Sequence, residues 1–243
     1  MSDRLEREIE RAQKLLGERH ALMKGGLIRD HLVDDPMQLF SEWFDHARAS
    51  GVEMPETMTL ATLGADGVPS IRNVSMRGRD ETSFHFYTNY DSTKGRGLHA
   101  HPYAAVLFNW LPLRRQVKVN GRVERASREL SDAYFGAIPR PVRLRFIASE
   151  QSKVIRDRAE FEERLARIEA EYAGREVPRP EGYGAFRLTP SRMEFWQQGY
   201  QNFLGDRFLY TRIPADAPAE CCDVADTHPS GVRPSWKIDC LAP

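Results

Sequence analysis

A mainly β domain with peripheral helices, its strands closing into an antiparallel barrel, is the fold class this sequence predicts. Three observations predict it. From residue 57 onward, short β-branched and apolar runs recur between turn-forming residues. Asp66-Gly67 joins the first two runs, a dipeptide that favours a tight hairpin. Helical spacing is confined to segments before and between the runs. At 243 residues the chain can build one large core, and no internal repeat is visible.

Taken in order, residues 3–23 predict a polar helix with a thin apolar stripe at Leu5, Ile9, Leu15 and Leu16, so 1–22 reads as a mobile helical arm. The single domain spans 23–243. Asp35-Pro36 opens a second helix, with proline at its favoured first position; Met37, Leu39, Phe40, Trp43, Phe44 and Ala47 keep helical spacing to Gly51. Strands are predicted over 57–63, 70–77, 83–89, 103–110 and 116–125. A short helix over 92–101 is stopped by Pro102, and helices are predicted at 127–136 and 157–173, the latter with capping-box spacing at Asp157 and Glu160. After a stiff Pro178-Arg179-Pro180 linker come strands over 183–189, 193–197 and 208–212, with 235–240 as a further candidate. The Pro- and Ala-rich stretch 213–234 reads as a loop insertion.

Lys plus Arg and Asp plus Glu number 35 each, so no global field favours nucleic acid or an anionic membrane. Arg114-Arg115 lacks the interleaved aromatics of a nucleic-acid surface. No apolar run is long enough for a transmembrane helix, and the N-terminal residues lack the apolar region of a secretory signal. Cys221, Cys222 and Cys240 have neither metal-ligand nor redox-motif spacing, so reduced thiols in a cytoplasmic protein are expected. His85, His99 and His101 have no second cluster beside them, and no metal site is expected.

Two separated stretches look like halves of one flavin site. The first is Arg72-Asn73-Val74-Ser75-Met76-Arg77 with Phe86-Tyr87-Thr88-Asn89; the second is Glu194-Phe195-Trp196-Gln197 with Asp206-Arg207. Together they offer positive charge for a phosphate, donors for a ring edge and flat apolar surface. Any one of these residues alone would read as ordinary surface or core. Their combination points to redox chemistry, which none of them performs unaided.

The ordered motifs go further. Met23-Lys24-Gly25-Gly26-Leu27, Asp35-Pro36, the Arg72 to Arg77 strand, Phe86 to Asn89, Arg115-Gln116-Val117, Gln151-Ser152, Pro178 with Pro180, Glu194 to Gln197, Asp206-Arg207 and Leu241-Ala242-Pro243 follow one another over nearly all of 23–243. This series resembles the pyridoxamine/pyridoxine 5′-phosphate oxidases, enzymes that use FMN to make pyridoxal 5′-phosphate. The resemblance implies a split-barrel homodimer with FMN at the subunit interface and a small-molecule substrate. It implies that Arg72, Asn73, Val74, Ser75, Met76 and Arg77 lie along the cofactor. Tyr87, Thr88, Gln116, Gln151, Ser152, Trp196 and Arg207 would complete the cofactor site, with Lys94 on the phosphate. Arg77 and Tyr134 would also face the substrate. No side chain is singled out as catalytic, because in such an oxidase the protein positions and polarises.

The chain departs from the family pattern at several points. The usual Ser-Arg-Lys run is Ser92-Thr93-Lys94, and the lysine ending the first strand is Arg77. Arginine and serine expected on the substrate phosphate are Ile138 and Val142, and an Arg-Leu-His run is Phe203-Leu204-Gly205. Arg140, Arg143 or Arg145 are the nearby candidates to replace the lost charge.

By default, then, the expected activity is oxidation of pyridoxamine or pyridoxine 5′-phosphate with dioxygen as acceptor. One alternative is a paralogue oxidising a less anionic molecule such as a dihydroaromatic. Another is a non-catalytic split barrel that carries flavin or haem.

Overall fold

The computed structural model describes residues 26–29, 32–199, 205–214 and 236–243. The predicted arm at 1–22, Phe203, Cys221, Cys222 and nearly all of the 213–234 insertion lie outside the described residues. The chain forms two compact units, one of Met1–Pro55, Leu107–Val119 and Ser191–Pro243, the other of Glu56–Val106 and Asn120–Pro190.

The first unit is organised by helix α1 (Pro36–Ala49). Asp35 caps it by accepting from the Met37 N–H at 2.9 Å, an interaction of about 1 kcal/mol. Its apolar stripe is buried as the spacing predicts. Phe40 meets Phe108 edge-on at 4.8 Å, and Trp43 meets Phe195 edge-on at 5.3 Å. Strand β8 (Gly205–Arg212) pairs antiparallel with the 192–198 part of β7 (Tyr183–Gln198) and with β9 (Trp236–Leu241). The fully buried Tyr210 of β8 donates its hydroxyl to the Val33 carbonyl at 2.8 Å.

In the second unit, β1 (Thr57–Leu63) and β2 (Pro69–Ser75) form the predicted hairpin. Their register runs from Thr57 opposite Ser75 to Leu63 opposite Pro69, and the Gly64 N–H closes the turn on the Val68 carbonyl at 2.8 Å. After the two-residue β3 (Gly78–Arg79), β4 (Phe84–Asn89) runs antiparallel to β7 from Phe84 opposite Leu188 to Asn89 opposite Tyr183. Alternation puts Phe84 and Phe86 of β4 into the core, and Phe86 stacks on Phe186 at 5.6 Å.

Helix α2 (Thr93–Ala100) begins at an N-cap Ser92 whose hydroxyl accepts from the Gly95 N–H. Gly95 has to be glycine, since a Cβ there would lie 2.1 Å from the Tyr90 carbonyl oxygen. Strands β5 (Tyr103–Trp110) and β6 (Arg115–Arg125) flank a 3₁₀ turn at Leu111–Leu113; both strands, like β7, contribute residues to both units. Helices α3 (Arg128–Ala137), α4 (Arg140–Ala148) and α5 (Arg158–Glu171) follow β6.

Strands and peripheral helices thus agree with the predicted class. Two details differ. Helix α4 was not expected, and the strands predicted over 183–189 and 193–197 are one strand with Pro190 buried inside it. Among the described residues no helix is long and apolar enough to cross a membrane, and no group of metal-ligating side chains forms.

Candidate cofactor and substrate site

The second unit contains a cavity of about 560 Å³, within the range of sites for small ligands and cofactors. β2 supplies Arg72, Asn73, Val74 and Ser75 to its wall, and Arg77 follows just beyond the strand. β4 supplies Tyr87, Thr88 and Asn89, and α2 supplies Lys94. The remaining wall comes from Tyr134 on α3, from Arg145, Phe146, Ser149 and Gln151 on and after α4, from Phe161 on α5 and from Tyr183 on β7. Four of these side chains are cations and none is a carboxylate, so the cavity suits an anionic ligand.

Arg72 and Lys94 make one positive pole. The Arg72 guanidinium is held by the Leu60 carbonyl at 3.2 Å, Thr62 Oγ1 at 2.7 Å and Ser70 Oγ at 2.7 Å. Such bonds fix its position before any ligand arrives, which lowers the ordering cost of binding. Lys94 Nζ donates to Thr88 Oγ1 at 3.2 Å and to Gln151 Oε1 at 3.1 Å, while the Thr88 hydroxyl donates to the same Gln151 oxygen at 2.9 Å. Gln151 Oε1 therefore collects two donors, as an oxygen of a bound anion would. Burial, and then the charge of Arg72, pushes the Lys94 ammonium down to about 8. A bound anion would offset both effects.

Beside this pole, the Thr93 N–H at the start of α2 points to Ser152 Oγ at 3.3 Å. Ser152 has φ +75°, a left-handed conformation that a residue with a Cβ adopts at a cost.

Aromatic rings make the flat part of the wall. Tyr87 stacks on Tyr134 with centroids 3.6 Å apart, and Phe146 stacks on Tyr183 at 4.4 Å. Burial first, and then the neighbouring Tyr134, pushes the Tyr87 hydroxyl up to about 12. Burial pushes Tyr183 up as well, so both phenols are donors at neutral pH. Arg77 is anchored through its backbone N–H on the His85 carbonyl at 2.8 Å.

The structure sorts the expected site residues. Arg72, Asn73, Val74, Ser75, Arg77, Tyr87, Thr88, Lys94, Gln151 and the substrate-side Tyr134 all line one cavity. Met76 does not; it follows the end of β2 and its side chain is buried in the core. Ser152 stands next to the lining Gln151 without joining the wall. Of the three arginines named as candidates to replace the lost charge, Arg145 lines the cavity, while Phe146, Ser149, Phe161 and Tyr183 were not among the expected site residues. Arg145, Phe146, Ser149 and Phe161 sit on or just after helices α4 and α5, whose faces a sequence pattern could not orient toward a cavity.

Gln116, Trp196 and Arg207 belong to the first unit. There Arg207 pairs with Glu194 Oε1 through Nη2 at 2.9 Å and Nε at 3.1 Å, and its Nη1 donates to the Ala242 carbonyl at 3.0 Å. Lys118 Nζ lies 2.5 Å from Glu194 Oε2. Burial alone would raise the Glu194 carboxyl, but the bonds from Lys118 and Arg207 outweigh it and hold it below the ordinary range. Trp196 stands opposite Arg207 in the β7–β8 register, with its indole against the backbone of Gly205.

Comparison with known proteins adds the following. Residues 44–170 match a family model described as pyridoxamine 5′-phosphate oxidase. Residues 183–243 match one described as the pyridoxine 5′-phosphate oxidase C-terminal dimerisation region. The chain is 42% identical over 231 residues to the pyridoxine/pyridoxamine 5′-phosphate oxidase of Salinibacter ruber, covering 95% of this chain and 99% of that one. With the enzyme of the same name from Burkholderia multivorans it shares 51% identity over 209 residues, 86% of this chain and 89% of the relative. Among solved structures it resembles PhzG from Burkholderia lata 383 in complex with tetrahydrophenazine-1-carboxylic acid. That likeness has TM-score 0.76 and 26% identity, and covers 90% of this chain and 98% of the other.

Proposed function

Because the chain belongs to the pyridoxamine 5′-phosphate oxidase family, we propose that it is an FMN-dependent oxidase that converts pyridoxamine or pyridoxine 5′-phosphate to pyridoxal 5′-phosphate. That it is a flavin-dependent oxidoreductase with an antiparallel split-barrel fold follows from the family. FMN itself, the B6 substrate and the individual site roles are the proposal. The observation that carries it is the cavity wall, with four cations, no carboxylate and two stacked aromatic pairs around one space.

Arg72 and Lys94 hold the cofactor phosphate in this reading, with the Thr88 hydroxyl as a further donor. Gln151 and Ser152 act beside them. Gln116, Trp196 and Arg207 contribute amide and guanidinium donors and a flat wall for the flavin ring. Donors of that kind at the ring edge stabilise negative charge as the ring is reduced. FMN held there would supply two-electron redox chemistry, with dioxygen as the final acceptor. With the alcohol substrate the products are the aldehyde and hydrogen peroxide. With the amine, a water is consumed and ammonium is released as well. Arg77 and Tyr134 orient the substrate.

The match of 183–243 to a dimerisation region supports a homodimer as the working assembly. A cytoplasmic setting belongs to the same proposal and accords with Cys240, an exposed free thiol.

A second reading keeps the flavin and changes the substrate to another ring compound, and the likeness to PhzG favours it. Identity is higher to the two B6 oxidases than to PhzG, which supports the first reading. Steady-state assay of FMN-loaded protein decides between them. The first reading expects oxygen uptake matched by equal formation of pyridoxal 5′-phosphate and peroxide. Flavin-loaded protein that consumes no oxygen with either B6 phosphate contradicts it.

A further inference from the structure

We propose that Arg145, together with Arg77, forms a second anion-binding pole that seats the acidic group of the substrate, a planar ring carrying a phosphate or a carboxylate. The inference rests on the reading above, in which Arg72 and Lys94 are taken up by the cofactor phosphate.

Charge balance is the first reason. A phosphate monoester carries about −1.5 to −2 at neutral pH, which Arg72 and Lys94 neutralise between them. Two lining cations, Arg77 and Arg145, are then left over, and no lining carboxylate answers them.

Their surroundings are the second. Arg72 is pinned by three bonds and Lys94 by two. Among the described residues, neither the Arg77 nor the Arg145 guanidinium has a hydrogen-bond or carboxylate partner, so both keep their donors for a ligand. Arg77 shares the cavity wall with Tyr134 and Tyr183, the aromatic part of the lining. Arg145 precedes Phe146, whose ring stacks on Tyr183 in that same part. A flat ligand with one acidic substituent has both its requirements met there.

The third reason is the fate of the other helix α4 arginines. Arg140 is spent on the end of α5, donating to the Tyr172 carbonyl at 2.6 Å and the Arg175 carbonyl at 2.8 Å. Arg143 does not line the cavity. Ile138, where the family resemblance places an arginine, packs onto the cluster of Phe135, Leu144, Val177 and Tyr183. Positive charge has moved from residue 138 to residue 145, and the cavity has not become apolar.

The test uses full-length FMN-loaded protein and the Arg145→Ala and Arg145→Lys variants, titrated with three probes on one ring: pyridoxal 5′-phosphate, 4-pyridoxate and uncharged pyridoxal. Arg145→Ala is expected to weaken the acidic probe that wild type binds by about tenfold or more, the loss of one charge-assisted contact. Pyridoxal affinity and FMN affinity should stay within about twofold, and Arg145→Lys should recover part of the loss. Whether phosphate or carboxylate shows the dependence identifies the acid that the pole takes. Unchanged affinity for both acidic probes overturns the proposal, as does loss of FMN in parallel with the probes, which would assign Arg145 to the cofactor. Wild-type protein that binds an acidic probe through Arg145 yet oxidises neither B6 phosphate leaves the pole standing and removes the B6 assignment.

Discussion

A Cβ built on Gly205 would lie 2.1 Å from Nε1 of Trp196, so the indole occupies the space that any side chain at 205 would need. The family resemblance places a histidine here. With glycine at this position the Trp196 indole packs directly against the β8 backbone. Gly205→Ala should therefore push the indole aside, costing about 1–3 kcal/mol of stability as overpacking does. Tryptophan emission and thermal unfolding check this; an unshifted spectrum with unchanged Tm would contradict the close contact.

Lys94 ties cofactor affinity to pH. Its ammonium is pushed down to about 8 in the free protein, so it carries charge below that pH and loses it above. FMN affinity should be flat from about pH 6.5 to 7.5 and decline as pH rises through 8. The apoprotein shows the opposite sign. Its depressed lysine binds fewer protons than the unfolded chain between about 8 and the ordinary value of 10.5, and apoprotein stability contributed by this group rises with pH across that window. Fluorescence titration of FMN at a series of pH values tests the first statement, and Lys94→Arg should abolish the inflection near 8.

Arg72 is held by Thr62, Ser70 and the Leu60 carbonyl, so charge alone should not replace it. Arg72→Lys keeps the charge but loses the fork of donors. We expect FMN affinity to fall by about tenfold or more in Arg72→Lys, on the scale of one or two charge-assisted bonds. Equal affinity of the variant and wild type by flavin titration would show that the guanidinium geometry is unimportant.

The Tyr87–Tyr134 stack separates ring from hydroxyl. Tyr134→Phe preserves the 3.6 Å stack and should leave stability within about 0.5 kcal/mol while raising the KM for the B6 phosphate. Tyr134→Ala removes the stack, at about 0.5–1.5 kcal/mol beyond lost burial. Urea unfolding and steady-state kinetics on the two variants resolve these parts; identical kinetics of Tyr134→Phe and wild type would take the hydroxyl out of substrate binding.

Much of the fold is legible in the sequence. The β1–β2 hairpin announces itself by alternation and by Asp66-Gly67, and α1 by Asp35-Pro36 with a regular apolar stripe. Helix α4 falls between the predicted helices at 127–136 and 157–173, where two prolines, Pro139 and Pro141, give no helical signal. Pro141 falls in the first turn, where its missing N–H costs nothing. Pro190 read as a break between strands, yet β7 carries it through. In the site, Arg72, Thr88, Lys94 and Gln151 were found because ordered motifs gave them context. Arg145 is one of three arginines near the lost charge, and the sequence does not choose among them. A guanidinium on an unpredicted helix has no assignable direction, and Ile138 looked like lost charge because its packing onto the cluster of Phe135, Leu144, Val177 and Tyr183 is a tertiary fact.

The most direct test of the central claim is anaerobic mixing of the FMN-loaded protein with pyridoxamine 5′-phosphate while the flavin absorbance is followed. The account predicts that the visible flavin bands bleach in a single turnover and return when oxygen is admitted, with one pyridoxal 5′-phosphate formed per flavin. Flavin bands that stay unchanged under saturating pyridoxamine 5′-phosphate would contradict it.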